Sequence, residues 1–207
     1  MALKNDLQKI VKGEVLDDQQ TLATYSKDSS IFEITPQAVA YPRDCEDIKK
    51  LVAFVSQNSN TLSITPRSAG TDMTGAAIGE GIILDVSKHL NRLIEVNEDC
   101  ATVQPGMFYR DFEAETLKKG LILPTYPASR EICTVGGMAA SNAGGELELT
   151  YGPINKYLRK VKVVLADGNE YTFEALNQNQ LDKKIAQKDF EGKIYSEVYN
   201  LIENNRK

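Results

Sequence analysis

The sequence predicts an α+β protein built from two small lobes, on three observations. A strand-helix-strand pattern between residues 38 and 65 calls for two parallel strands. Two later pairs of short apolar strands, at 93–106 and 160–173, read as antiparallel hairpins. Between them stand two glycine-rich stretches with too little side chain to build a core of their own. The first is Pro66-Arg67-Ser68-Ala69-Gly70-Thr71-Asp72-Met73-Thr74-Gly75; the second runs from Thr134 to Gly145.

The elements follow in chain order. Leu3, Leu7, Ile10 and Val11 have helical spacing, and a second short helical segment follows at 21–25, so residues 1–35 read as an N-terminal helical segment. Ala38 to Tyr41 is a strand ended by Pro42. Asp44 is a good N-cap for the next helix, Asp47 sits in its first turn where the dipole favours a negative charge, and Ile48, Leu51, Val52 and Val55 supply its apolar face. Leu62 to Thr65 is a second strand leading into the first glycine stretch, and Gly81 to Val86 a third, completing a parallel three-stranded lobe over about 36–90.

Residues 91–176 form the larger, mixed or antiparallel lobe. Residues 93–96 and 101–106 turn at Asn97-Glu98-Asp99, and a helix runs from Phe108 to Lys119 with Gly120 as its stop signal. Thr134 is an N-cap for a helix of almost entirely small residues, with Gly144 and Gly145 expected as a left-handed end. Residues 160–165 and 170–173 pair across Ala166-Asp167-Gly168-Asn169. From Ala175 the pattern becomes polar helix and runs to Lys207 without a cap, so further protein carrying a substrate domain is expected after it.

Composition narrows the function classes. The chain has 207 residues, 42% hydrophobic and 26% charged, enough apolar content for a real core. A formal net charge of -5 and the absence of any basic run argue against a nucleic-acid partner. The three cysteines, Cys45, Cys100 and Cys133, are widely separated, which suggests neither a disulfide framework nor a metal site and fits a reducing cytoplasm. No apolar run approaches the roughly 18–20 residues of a membrane span. A strand followed by GxGxxG is missing, which disfavours an ordinary dinucleotide fold, and no Gly-Lys-Ser/Thr occurs, which excludes a P-loop. His89, the one histidine, reads as structural.

Glycine-rich loops let backbone N–H groups come close to a flat, phosphate-bearing ligand. Taken in order, PRSAGTDMTG, TVQPG, YPAS, TVGG, SNAGG, a Tyr-Gly and VVLADG resemble the FAD-binding domain of the vanillyl-alcohol oxidase/PCMH superfamily, in its D-lactate dehydrogenase and glycolate oxidase branch. The resemblance covers about 36–176. It implies FAD lying extended between the lobes, its pyrophosphate on the first loop. The implied cofactor-binding residues are Arg67, Ser68, Ala69, Gly70, Thr71, Asp72, Gly75 and Ala76 from the first stretch. From the second region they are Pro127, Ser129, Thr134, Gly136, Gly137, Ser141, Asn142 and Gly144. Some branches carry a flavin-linked histidine where this chain has Thr71, so non-covalent FAD is expected.

The implied reaction is oxidation of a small 2-hydroxy acid by hydride transfer to the flavin, with the electron acceptor left open and the catalytic base and any metal expected beyond Lys207. Two further readings remain at this stage: a flavin-binding or electron-transfer fragment without its own substrate site, and a reductase of an enolpyruvyl sugar nucleotide. Arg130 is the cation nearest the second motif.

Overall fold

A computed structural model of the chain describes residues 2–206. Its first layer is a four-stranded sheet in the order β1-β2-β4-β3, from β1 (Glu14–Leu16), β2 (Ala38–Tyr41), β3 (Ile64–Arg67) and β4 (Ile82–Asp85). β2, β4 and β3 run parallel, with Ala38 and Ile64 both opposite Ile82. β1 joins antiparallel, Glu14 facing Tyr41.

Alternation along the strands sorts the side chains to two faces. Ala38, Ala40, Ile82 and Leu84 pack with Leu7, Val11, Val15, Leu51 and Val55. These come largely from α1 (Ala2–Ile10) and α3 (Cys45–Gln57). Val39, Tyr41 and Ile83 meet Leu16, Leu22 and Tyr25, the last two from α2 (Gln19–Tyr25).

Three features depart from the sequence reading. The sheet has four strands rather than three, because the segment read as N-terminal helix also supplies β1. A three-residue strand is too short for periodicity to reveal. The second parallel strand begins at Ile64 and continues through Arg67 into the glycine stretch. Pro66 is tolerated there because β3 is an edge strand, where a missing N–H costs no ladder bond. β4 also lies between β2 and β3, so the chain from Ser68 to Gly81 is itself the crossover that neighbouring parallel strands require. It makes that return without a helix.

The second layer holds the β5 (Leu93–Val96) and β6 (Ala101–Val103) hairpin, α4 (Tyr109–Leu117) and α5 (Val135–Ala140). Met107, Tyr109, Phe112, Cys133, Met138 and Ile154 form its core, with Ile154 contributed by a 3-10 turn. α6 (Glu148–Tyr151) is a single exposed turn.

The hairpin of β7 (Lys160–Val164) and β8 (Glu170–Glu174) rests against α3 instead of this second core. Gly168, at φ +79°, brings its backbone so close to Ala53 and Lys49 that a Cβ would lie 3.1 Å from the Ala53 methyl. Cys45 Sγ on α3 donates to Glu170 Oε2 at 2.7 Å. α7 (Gln178–Ile185) and α8 (Phe190–Asn205) follow, with Tyr195 stacked near Phe173. No helix among the described residues is long and apolar enough to cross a membrane.

Candidate functional site

A cleft of about 450 Å³ opens where the end of β3 meets α5. One wall runs from the end of β3 into the crossover, between Pro66 and Ala77; the other is formed by Pro127, Ser129, Cys133, Thr134, Gly137, Met138, Ala140, Ser141 and Ala143. Its size falls within the range of small-molecule sites. A smaller hollow of about 360 Å³ near Leu22, Ser26 and Glu33 is lined by neither glycine motif.

Among the described residues, one hydrogen bond joins the two motifs. Thr134 Oγ1 accepts from Gly137 N at 3.2 Å, capping α5, and donates to Ser68 Oγ at 2.7 Å. Thr134 is 1% exposed, so this hydroxyl is committed to those two partners. A Cβ on Gly137 would sit 3.1 Å from Ser68 Oγ and 3.2 Å from Thr134 Oγ1, which explains a glycine at this junction.

The first loop is braced by its own bonds and by the chain at the end of α2. Arg67 Nη1 donates to the carbonyls of Lys27 at 2.7 Å, Ala77 at 3.3 Å and Tyr25 at 3.4 Å, and its guanidinium lies 5.0 Å from the Tyr25 ring centroid. Gly70, at φ +66°, lies against that guanidinium with no room for a Cβ. Asp72 Oδ2 accepts from Thr74 N at 2.7 Å, Thr74 Oγ1 at 2.8 Å and Ala76 N at 2.9 Å. These bonds, that from Ala76 first, hold its carboxyl below the usual carboxylate range. Among the described residues, the N–H groups of Ala69, Gly70, Thr71 and Met73 meet no protein acceptor.

Eleven of the sixteen expected site residues line the cleft: Arg67, Ser68, Gly70, Thr71, Asp72, Ala76, Pro127, Ser129, Thr134, Gly137 and Ser141. Five stand outside its walls, four of them with a visible reason. Gly75 packs on the Phe32 ring. Gly136 is on the far side of α5, donating to Pro105 O at 2.9 Å. Asn142 takes the left-handed conformation at φ 47° and accepts from Asn155 N at 3.1 Å. The left-handed end of α5 is therefore Asn142, not Gly144-Gly145. Both of those glycines have negative-φ or extended backbones; Gly145 is needed for close approach to the Tyr126 carbonyl, and Gly144 lies under the Glu148 side chain. Ala69 lies between two lining residues without facing the cleft.

Cys133, Met138, Ala140 and Ala143 line the cleft and were not singled out in the sequence. The N-cap at Thr134 carries the missed signal. Counting three and four residues on from it reaches Gly137 and Met138, then Ala140 and Ser141. Burial pushes the Cys133 thiol upward, so it stays protonated and inert at neutral pH.

Two other candidates are occupied elsewhere. His89 Nε2 lies 2.7 Å from Glu14 Oε2, and Glu14 sits on β1, which lines no part of the cleft. Arg130 pairs with the buried Glu113, itself an acceptor for the Tyr109 hydroxyl, and stacks 4.6 Å from the Tyr126 ring centroid. No group of three His, Cys, Asp or Glu side chains among the described residues is placed to hold a metal ion.

Comparison with known proteins fits this geometry. Over 186 residues the chain is 30% identical to the D-2-hydroxyglutarate dehydrogenase of Escherichia coli (strain K12), covering 88% of this chain and 18% of that protein. It is 33% identical over 172 residues to the glycolate oxidase subunit GlcD of Bacillus subtilis (strain 168), covering 81% and 36% respectively. The chain thus spans between about a fifth and a little over a third of these relatives' lengths. Among solved structures, wild-type BBE-like 1 of Physcomitrella patens superposes with a TM-score of 0.73 at 18% identity, over 86% of this chain and 39% of that one. That likeness shows the fold. Residues 36–174, which contain both walls of the cleft, match the FAD binding domain family, and the chain belongs to that family.

Proposed function

We propose that this chain is the cofactor-holding part of a flavoprotein oxidoreductase that oxidises a small 2-hydroxy acid, with FAD bound non-covalently in the cleft between the two glycine motifs. The observation that carries the reading is the Ser68–Thr134 hydrogen bond, which fixes a loop with unpaired N–H groups against a helix start bare of large side chains. The residues fit FAD on the structure's own terms. Gly70 and Gly137 stand where a Cβ would meet the Arg67 guanidinium and the Ser68 and Thr134 hydroxyls, so the backbone there stays bare, and the unpaired amides of Gly70 and Thr71, both on the cleft wall, supply donors for an anionic group. Thr71, at the cleft wall, has no side-chain nitrogen to form a flavin linkage, which supports non-covalent binding.

Bound FAD supplies the two-electron acceptor for the oxidation. The chain's own residues bind and orient it: the first loop presents neutral amides, Ser68 and Thr134 hold the two walls in register, and Pro127 and Ser129 close the far side. The charged side chains lining the cleft are Arg67, bonded to the carbonyls of Lys27, Ala77 and Tyr25, and Asp72, bonded within its own loop. A substrate carboxylate needs a cation and its hydroxyl a base. We assign both to a substrate-binding portion of the kind that the relatives' greater length can hold. The three free thiols fit a reducing compartment such as the cytoplasm.

The test has two stages. FAD added to cofactor-free protein is expected to be retained through gel filtration and released, intact, by acid precipitation. Anaerobic addition of D-2-hydroxyglutarate, glycolate or D-lactate to the FAD-loaded chain, with its substrate-binding portion present, is then expected to bleach the flavin absorbance. Retention without bleaching by any of the three favours a flavin-binding module, a second reading supported by the lack of an uncommitted cation on the cleft walls. A chain that takes up no FAD overturns both.

A further inference from the structure

We propose that Asp72 is a positioning residue rather than a cofactor contact: its carboxylate shapes the first loop so that the amides upstream of it are free to hold the diphosphate. The inference rests on the FAD reading above. A carboxylate on the wall of a cleft meant for an anion is electrostatically adverse, since like charges a few ångströms apart repel even when partly solvated. Its presence there calls for a compensating role, and the hydrogen bonds supply one.

Asp72 Oδ2 collects Thr74 N, Thr74 Oγ1 and Ala76 N, all within 2.9 Å. This closes the turn over 72–76 and consumes two downstream N–H groups. Upstream, the N–H groups of Ala69, Gly70 and Thr71 stay unpaired among the described residues. The Arg67 guanidinium lies against Gly70 and is tied to the carbonyls of Lys27 and Ala77, bracing the same stretch from beneath. The loop's formal charges are thus bonded to its own backbone and its neighbours, and the ligand is left to neutral donors.

The sign of one substitution separates this role from the alternatives. A carboxylate that merely stood near the diphosphate would weaken binding, and its removal would tighten it. A carboxylate that shapes the loop would loosen binding when removed, although the site becomes less negative. Asp72→Asn keeps a carbonyl acceptor and drops the charge; Asp72→Ala drops both. FAD affinity is read by quenching of flavin fluorescence, and loop order by amide hydrogen exchange at Thr74 and Ala76 in cofactor-free protein.

For Asp72→Ala, FAD affinity is expected to fall by about tenfold or more, and exchange at the two amides to accelerate by a similar factor. Asp72→Asn is expected to restore both to within about threefold of the parent, since the side-chain acceptor remains. Thr74→Val, which keeps the amide and removes the hydroxyl, should loosen the turn less than Asp72→Ala does. Tighter or unchanged binding by Asp72→Ala overturns the proposal. So does an Asp72→Asn variant as weak as Asp72→Ala, because that makes the charge itself the requirement. Parent protein that binds no FAD sinks the cofactor reading, while the exchange measurement still decides whether Asp72 orders the loop.

Discussion

Thr134 Oγ1 and Ser68 Oγ lie 2.7 Å apart although 66 positions separate them in the chain. This pair is where the parallel sheet's crossover meets the helix of the second layer. Because Thr134 also caps α5, one buried hydroxyl fixes both the helix start and the position of the loop. Thr134→Val is expected to cost about 1–3 kcal/mol of stability, from a lost cap and an unpaired Gly137 amide. FAD affinity should drop along with it, whereas Thr134→Ser should retain both. Thermal unfolding and an FAD titration on the same preparations check this; a destabilised Thr134→Val that binds FAD normally would show that the walls align without the contact.

Two adjacent glycines should respond differently to the same added methyl. A Cβ at Gly136 would lie 2.5 Å from Pro105 O and Cβ, both part of a rigid segment. Gly136→Ala is therefore expected to lose roughly 1–3 kcal/mol as an overpacked core does. At Gly137 the nearest atoms are two hydroxyls at 3.1 and 3.2 Å, which can shift slightly. Gly137→Ala should therefore lose less stability than Gly136→Ala yet bind FAD more weakly, since its new methyl presses on the Ser68–Thr134 contact that joins the cleft walls. Urea denaturation and FAD binding, measured in parallel, distinguish a packing glycine from a site glycine.

Asp47 offers a prediction about the scaffold. It is fully buried and accepts from Lys12 N at 2.9 Å, Gly13 N at 2.9 Å and Arg43 N at 3.0 Å, tying the α1–β1 turn to the start of α3. Asp47→Ala strands three backbone donors, and at about 1–3 kcal/mol for each buried unsatisfied group the loss should exceed roughly 3 kcal/mol. Asp47→Asn should fall between, because its amide NH₂ faces donors where an oxygen is needed. The urea midpoint of the two variants against the parent is the measurement; equal midpoints would mean that this turn relaxes to solvent.

What the sequence showed and what it hid differ by range of interaction. The Asp44 and Thr134 caps, the turn at Gly168 and the parallel course of the strands at 38–41 and 64–67 all follow from local residue types; that β4 lies between those two strands, so that they do not pair directly, does not. Asp47 looked like a dipole residue because its three donors come from elsewhere in the chain or from outside the helix, and no local pattern announces them. β1 was hidden because three residues give no period, and its partner strand lies more than twenty residues on. At the site, the glycine stretches located the cleft, but composition alone could not say which glycine faces it. Gly136 and Gly137 are chemically identical, and only the rotation of about 100° per residue around α5 sends one to Pro105 and the other to Ser68.

The Cys45–Glu170 contact gives a prediction at the opposite end of α3 from that helix's C-cap. Burial, together with the Glu170 carboxylate that accepts from its Sγ, pushes the Cys45 thiol up to about 11. A thiol with a raised pKa is protonated throughout neutral pH, and thiolate is the reactive form. Against an unperturbed thiol near 8.5, alkylation at pH 8 is expected to be slower by on the order of 10²-fold than in the urea-unfolded chain. Raising the pH toward 11 should recover the rate. Glu170→Gln removes the charge but leaves an acceptor, so labelling should quicken while remaining slower than in the unfolded chain, because burial is the larger cause. Mass spectrometry of iodoacetamide adducts at Cys45 over a pH series reads both effects. Labelling at the unfolded rate in the parent would mean that the β7–β8 hairpin lifts from α3 in solution, releasing the thiol from both its burial and its carboxylate.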